Sequence, residues 1–186
     1  MECNKLLIDN INGANTATQY LIDHAHTNIA HICGNLNRRV MIDRLNGFVD
    51  CMRKNGLELR DGSIQYTMAD YHSGYESMKQ LLALPKCPTA VFCSDDAIAS
   101  FAIRAVLDAG LRVPEDISVM GFDNQFILPE KYNGPDITSM EQPLFSIGCD
   151  SIRLLVDQLC GRAAFPIHKV YQTKIAEKAS VCHLRR

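Results

Sequence analysis

The chain has 186 residues, 47% hydrophobic and 22% charged, with a formal net charge of −2, which suits one sizeable core or two small domains of an ordinary globular protein. That balance shows no basic footprint for nucleic acid, which calls for a face rich in lysine and arginine and a high pI. Eight cysteines without a C-x-x-C pair, no charged-then-apolar leader pattern and no apolar run of membrane length point to a reducing cytoplasm and to no membrane.

Strand-length apolar runs alternate with helix-period segments, the pattern of βαβ units and a mainly parallel sheet. Leu6-Leu7-Ile8 predicts a short strand ending in Asp9-Asn10, and Asn12 a cap for a helix carrying Ala14, Ala17, Tyr20 and Leu21. Ile29 to Cys33 predicts the second strand, closed by Gly34. Leu45, Phe48, Val49 and Met52 fall at i, i+3, i+4 and i+7, with Gly56 where a C-terminal cap belongs. Ile64 to Thr67 is a weaker strand, and Ser73 with Glu76 reads as a capping box ahead of Met78, Leu81 and Leu82.

Ala90 to Ser94 predicts a fourth strand, followed by a helix with Ile98, Phe101, Ala102, Ala105 and Val106 on its inner stripe and Gly110 as its stop. Ile117 to Phe122 predicts a fifth strand. An irregular stretch from Pro129 to Pro143 then reads as loop plus a crossing segment. Ile152, Leu155, Val156 and Leu159 mark another amphipathic helix, stopped by Gly161, and Lys169 to Ile175 a last strand.

Polar residues gather wherever a strand ends: Asp9-Asn10, Asn35 to Arg38, Asp95-Asp96 and Asp123-Asn124. In an open α/β sheet the carboxyl edge is where ligands sit, and carboxylate, amide and guanidinium groups supply the fixed acceptors and bidentate donors a small polar ligand needs. Taken singly, Asp95 or Asp96 also reads as a helix cap and Asp123 as a turn residue. Arg44 stands at the start of the Leu45 helix, where the helix dipole disfavours a cation by roughly 0.3–1 kcal/mol. Either a ligand or the neighbouring Asp43 compensates it.

His24, His26, His31 and Cys33 lack the paired spacing of a zinc site, so no metal or other cofactor is expected. No dinucleotide fingerprint, P-loop, nucleophile elbow or H-E-x-x-H occurs, so the expectation is a binding protein and not an enzyme. Asp95-Asp96 with Asp123 leaves a magnesium-binding phospho-acceptor as a weaker alternative.

The residues Ile8-Asp9-Asn10, Gly13-Ala14, Arg44-Leu45 with Gly47-Phe48, Ser73-Gly74-Tyr75, Pro88-Thr89-Ala90-Val91-Phe92, Gly110 to Val119, Gly121-Phe122-Asp123 and Gln142-Pro143 make the chain resemble the effector-sensing core of the lactose-repressor/galactose-repressor family of bacterial transcription regulators. The resemblance runs from about Leu6 to about Val181. It implies a periplasmic-binding-protein-like α/β fold, an open parallel sheet with helices on both faces. It also implies a C-terminal effector-binding subdomain over 6–139, a returning piece of the N-terminal subdomain over 140–164, and a final strand over 165–181.

The same resemblance implies Arg44, Asp95 and Asp123 as effector-binding residues, with Arg38 and Gln142 as weaker candidates. Many relatives place an aromatic residue just before the Ser73 helix, where this chain has Ala69, with Tyr71 close by. The implied effector is a sugar or related metabolite, the implied state a homodimer, and operator DNA a partner only through a headpiece that this chain lacks. A periplasmic sugar-binding protein of the same fold is the alternative. The Ile152 to Leu159 face is expected to pack on a sheet the chain lacks, leaving an apolar patch that self-associates or folds back on the protein.

Overall fold

The structure, a computed structural model, describes residues 3–68, 71–125, 132–162 and 166–184. Among the described residues eight strands and five helices follow in order: β1 (Lys5–Ile8), α1 (Asn10–Asp23), β2 (Ile29–Cys33), α2 (Arg39–Lys54), β3 (Ile64–Tyr66), α3 (Tyr71–Leu82), β4 (Ala90–Cys93), α4 (Asp96–Asp108), β5 (Ser118–Asp123), β6 (Thr138–Glu141), α5 (Leu144–Leu159), β7 (His168–Tyr171) and β8 (Lys174–Ala176). Six strands form one sheet in the order β3-β2-β4-β5-β6-β8, parallel except for β8. From β2 the chain moves to one side, and from β4 to the other, so the order reverses between these neighbours. That is where a crevice opens at the carboxyl edge of a doubly wound sheet.

Both faces of the sheet are covered, and strand alternation divides the core in two. Ala30, Ile32, Val91, Cys93 and Val119 face α3 and α4, joining Met78, Leu81, Ile98, Ala102 and Val106. Ile29, Ala90, Phe92, Met120 and Phe122 face α1 and α2, joining Ala14, Ala17, Leu21, Phe48 and Met52. His31 lies in this second layer, its ring stacked 4.9 Å from both Phe48 and Phe92. Burial pushes its pKa down to about 3, so it is a neutral core residue whose Nδ1 meets the Phe92 carbonyl at 2.8 Å.

Several elements depart from the sequence reading. The α1 cap is Asp9, whose carboxylate accepts the Asn12 N–H at 3.0 Å, so the helix begins before Asn12. Helix α2 begins at Arg39, which puts Arg44 in its second turn, away from the helix end where the dipole acts. Its buried stripe is Met41, Arg44, Gly47, Phe48, Cys51 and Met52, while Leu45 and Val49 are only partly covered. Asp43 pairs with Arg39 at 2.8 Å and not with Arg44. Ser73 lies inside α3 and not at its cap, and its hydroxyl meets Thr67 Oγ1 and the Met68 N–H.

The remaining departures concern which sheet a strand joins. The segment expected as one strand over Lys169 to Ile175 is two: β7 pairs with β1, and β8 turns back antiparallel onto β6. Strand β1 therefore belongs to a separate two-stranded sheet. The large sheet continues through β6 to Glu141, past the boundary expected at 139. Ala69, the Pro129 end of the irregular stretch and the boundary near Ala164 lie outside the described residues.

Three crossings link the two sheets: Ile8 to Asn10, Glu141 to Leu144, and Tyr171 to Lys174. Beyond them α5 rests on the small sheet through Asp150, which takes the Tyr171 hydroxyl at 2.6 Å and pairs with Lys169. Its other face is bare. Phe145, Ile152, Leu155 and Leu159 are spaced seven, three and four residues apart, which puts them in one line, as expected of a helix seam. All four are exposed, from 57% at Leu155 to 86% at Phe145.

Two predictions follow from the packing. A Cβ at Gly47 would stand 2.2 Å from the Ile11 carbonyl oxygen, so α1 and α2 touch only because that position has no side chain. Gly47→Ala is expected to cost about 1–3 kcal/mol in urea unfolding. Burying each α5 seam residue is worth roughly 1.5–3 kcal/mol, so the 186-residue chain is expected to sediment as an oligomer, and Leu155→Glu with Leu159→Glu to shift it to monomer. A parent chain that stays monomeric would show that this face needs no cover.

Candidate functional site

Every expected site residue emerges at the carboxyl edge of the large sheet. Asp95 follows β4, Asp123 ends β5, Gln142 follows β6, and Arg44 reaches them from the second turn of α2. Arg44 is 3% exposed and holds three partners. Its Nε donates to Asn10 Oδ1 at 2.9 Å, Nη1 to the Ser94 carbonyl at 2.6 Å, and Nη2 to Asp123 Oδ1 at 2.7 Å. Its guanidinium carbon lies 3.7 Å above the centre of the Phe122 ring, a stacking that favours a desolvated cation.

A guanidinium has five N–H donors, and three are engaged here by protein groups. Asp123 Oδ1 also accepts from Gln142 Nε2, while Gln125 Nε2 stands 3.5 Å from Asp123 Oδ2. Four of the expected residues therefore share one neighbourhood: Arg44, Asp123 and Gln142 in direct contact, and Asp95 close enough to feel the charges of both Asp123 and Arg44. Arg38 is exposed, its side chain makes no hydrogen bond among the described residues, and its charge also reaches Asp95.

Asp95 does cap α4, its Oδ1 accepting the Ile98 N–H at 2.8 Å, and burial raises its pKa. The cap uses one carboxylate oxygen only, and Oδ2 has no hydrogen-bond partner among the described residues. Asp96 differs. Its carboxylate is 1% exposed and is pushed up to about 7 by burial, against the pull of hydrogen bonds from Ser139 Oγ at 2.7 Å and the Gln125 N–H at 2.6 Å.

Sequence reasoning grouped Asn10 with the strand ends but gave it no role, and it missed Ser94 and Phe122. Asn10 is legible in retrospect as a buried amide directly after a strand. The Ser94 carbonyl and the Phe122 ring left no signal, because one is backbone and the other reads as an ordinary core residue. Among the described residues no group of three or more histidine, cysteine or acidic side chains is arranged to hold a metal ion, and no helix is long and apolar enough to cross a membrane.

Comparison with known proteins agrees with this fold. The model of the periplasmic binding protein-like domain matches residues 18–181. The HTH-type transcriptional repressor PurR of Pasteurella multocida is 37% identical over 79% of this chain and 43% of its own length. The solved complex of the transcriptional regulator CelR with cellobiose superposes with a TM-score of 0.86 at 32% identity, over 96% of this chain and 54% of that one. A LacI-family regulatory protein from Chloroflexus aggregans gives 0.85 at 28% identity, over 98% of this chain and 65% of that one. The chain spans about half the length of the curated relatives it matches, and those relatives are transcriptional regulators.

The two aspartates are expected to weigh differently on stability. Asp123→Ala strands a buried guanidinium, a change that typically costs roughly 3–5 kcal/mol. Because the Asp123 side chain is 18% exposed, the low end, about 3 kcal/mol, applies. Asp95→Ala removes a helix cap worth about 1 kcal/mol. Urea unfolding of the two variants that gave equal losses would contradict the buried-pair geometry.

Proposed function

We propose a function from one premise: the chain belongs to the periplasmic binding protein-like domain family, in the form that LacI-type transcriptional regulators carry. It is the effector-sensing part of such a regulator and not an enzyme. It takes a small polar metabolite at the carboxyl edge and transmits occupancy to DNA binding by a headpiece outside this chain. The setting is cytoplasmic and the working state a homodimer.

One observation carries this reading. Arg44 ties Asn10 at the first crossing between the sheets to Asp123, which Gln142 at the second crossing also holds. A ligand that engages Arg44 or Asp123 therefore pulls directly on two of the three segments through which one lobe moves against the other. Binding at such a point biases a hinge only to the extent that the ligand contacts the closed form better than the open one, and converging donors and acceptors from both sides of a hinge supply that difference. In this proposal the large sheet with α1 to α4 is the C-terminal subdomain, and β1, α5 and β7 belong to the N-terminal one.

A sugar is the favoured effector class. Hydroxyl groups both donate and accept, and the site offers carboxylates and guanidinium N–H groups side by side. CelR, solved with cellobiose, is among the structures this chain resembles, and nucleobases, which also mix donors and acceptors, come next on the panel. A thermal-shift screen of sugars, including cellobiose, and of nucleobases is expected to find a ligand that raises the melting temperature of the parent. Asp123→Ala should abolish that rise, and Arg38→Ala should reduce it while leaving the ligand-free melting temperature unchanged, because the Arg38 side chain is exposed and has no hydrogen-bond partner among the described residues. A ligand that stabilises parent and both variants equally would contradict the site assignment.

A further inference from the structure

Asp123 and Asn124 both have left-handed backbones, with φ of 97° and 51°. For residues with a Cβ this conformation is costly, and it persists only where the surroundings hold it. Here four side chains hold it. Ser139 Oγ accepts the Asn124 N–H at 3.0 Å, and Lys178 Nζ donates to Asn124 Oδ1 at 2.7 Å. Asn124 Nδ2 reaches Glu141 at 3.4 Å, and the Gln125 N–H donates to Asp96 Oδ2 at 2.6 Å.

Of these, Asp96 and Ser139 are both fully buried. A Cβ on Gly121 would meet Asp96 Oδ1 at 2.0 Å, so β5 has a glycine where the carboxylate presses against it. Ser139 donates to that same Oδ1 while accepting from Asn124, which links the two anchors of the turn into one unit.

We propose that Asp96 is a positioning residue of the effector site: its carboxylate holds the left-handed turn that aims Asp123 at Arg44, so the geometry of the site follows the charge on Asp96. This rests on the proposed function for the meaning of the site, though not for the coupling itself. The ionised carboxylate accepts from Ser139 and from Gln125 together. A protonated one keeps these contacts only as neutral hydrogen bonds, about half as strong as charge-assisted ones, so its hold on the turn weakens.

The charged and titratable groups around Asp96 are Asp123 on β5, Lys178 after β8, and Cys93 and Asp95 at the end of β4. Asp123 and burial oppose ionisation, whereas Lys178, Ser139 and Gln125 favour it. Because the folded-state pKa is raised to about 7, the stability supplied by the neutral form is complete below the ordinary carboxylate range and is lost as pH rises through about 7. The same rise in pH tightens the turn.

The test needs no effector. The Gln125 amide and the Arg44 Nε–H are followed by nitrogen–proton NMR on the ligand-free chain from about pH 5.5 to 8.5, a range that brackets the expected midpoint. Both signals are expected to move with one midpoint near 7 in the parent, and both to stay flat in Asp96→Asn. Ser139→Ala keeps the carboxylate and removes a bond that favours its ionised form, so it should shift both midpoints upward together. A Gln125 signal that titrates while Arg44 does not would overturn the proposal, as would an Arg44 transition that survives in Asp96→Asn. Failure of every ligand in the thermal-shift screen would count against the proposed function and leave this result standing.

Discussion

The structure turns on one buried cation. Arg44 sits in the second turn of α2 with 3% of its surface exposed, and a guanidinium so desolvated is tolerated only when its N–H groups are hydrogen-bonded and its charge is paired. Those requirements are met by four groups from three places: an amide after β1, a carbonyl after β4, and the Asp123 carboxylate and Phe122 ring at the end of β5. Sheet order brings them together, because β4 and β5 are neighbours and the first crossing runs past their carboxyl ends. The arrangement could be replaced by apolar side chains at little cost in stability, as buried ion pairs often can. Its retention makes sense if the unspent donors and carboxylate oxygens serve a ligand.

The crossings give that cluster mechanical reach. Besides the bonds from Arg44 and Gln142, Gln172 at the third crossing bridges Asp9 and Asn12 at 3.1 and 3.0 Å. The first two connections between the sheets are thus tied to Asp123 and Arg44 at the carboxyl edge, and the third to the first, by polar side chains. Such ties are directional and can be exchanged for ligand contacts, unlike the two apolar layers on either side of the sheet, which keep their shape. A rigid lobe with a polar, exchangeable rim is what a sensor of small molecules requires.

Much of this was legible in the chain, for physical reasons that can be traced. The central strands showed clearly as unbroken apolar runs because both faces of the sheet are covered, and Gly56, Gly110 and Gly161 marked helix ends because each takes the left-handed conformation there, with φ near 66°, 78° and 66°. The helix start of α2 was misplaced by several residues. Its inner stripe contains an arginine, which periodicity of apolar residues alone skips, so Leu45 and Val49 were taken for the centre of the stripe. The last strand was read as one because nothing in Val170 to Ile175 signals that the chain changes sheets there. Arg44, Asp95, Asp123 and Gln142 were visible from the resemblance to known regulators, while the Ser94 carbonyl and the Phe122 ring could be assigned only from coordinates.

The most direct measurement is a crystal structure of the protein with the metabolite that stabilises it most. Ligand oxygen or nitrogen atoms are expected within about 3 Å of the Arg44 guanidinium and the Asp95 and Asp123 carboxylates, the distance of a charge-assisted hydrogen bond. A ligand bound elsewhere, with Arg44 still turned wholly to Asn10, Ser94 and Asp123, would contradict the account and leave the buried cation as a structural feature only.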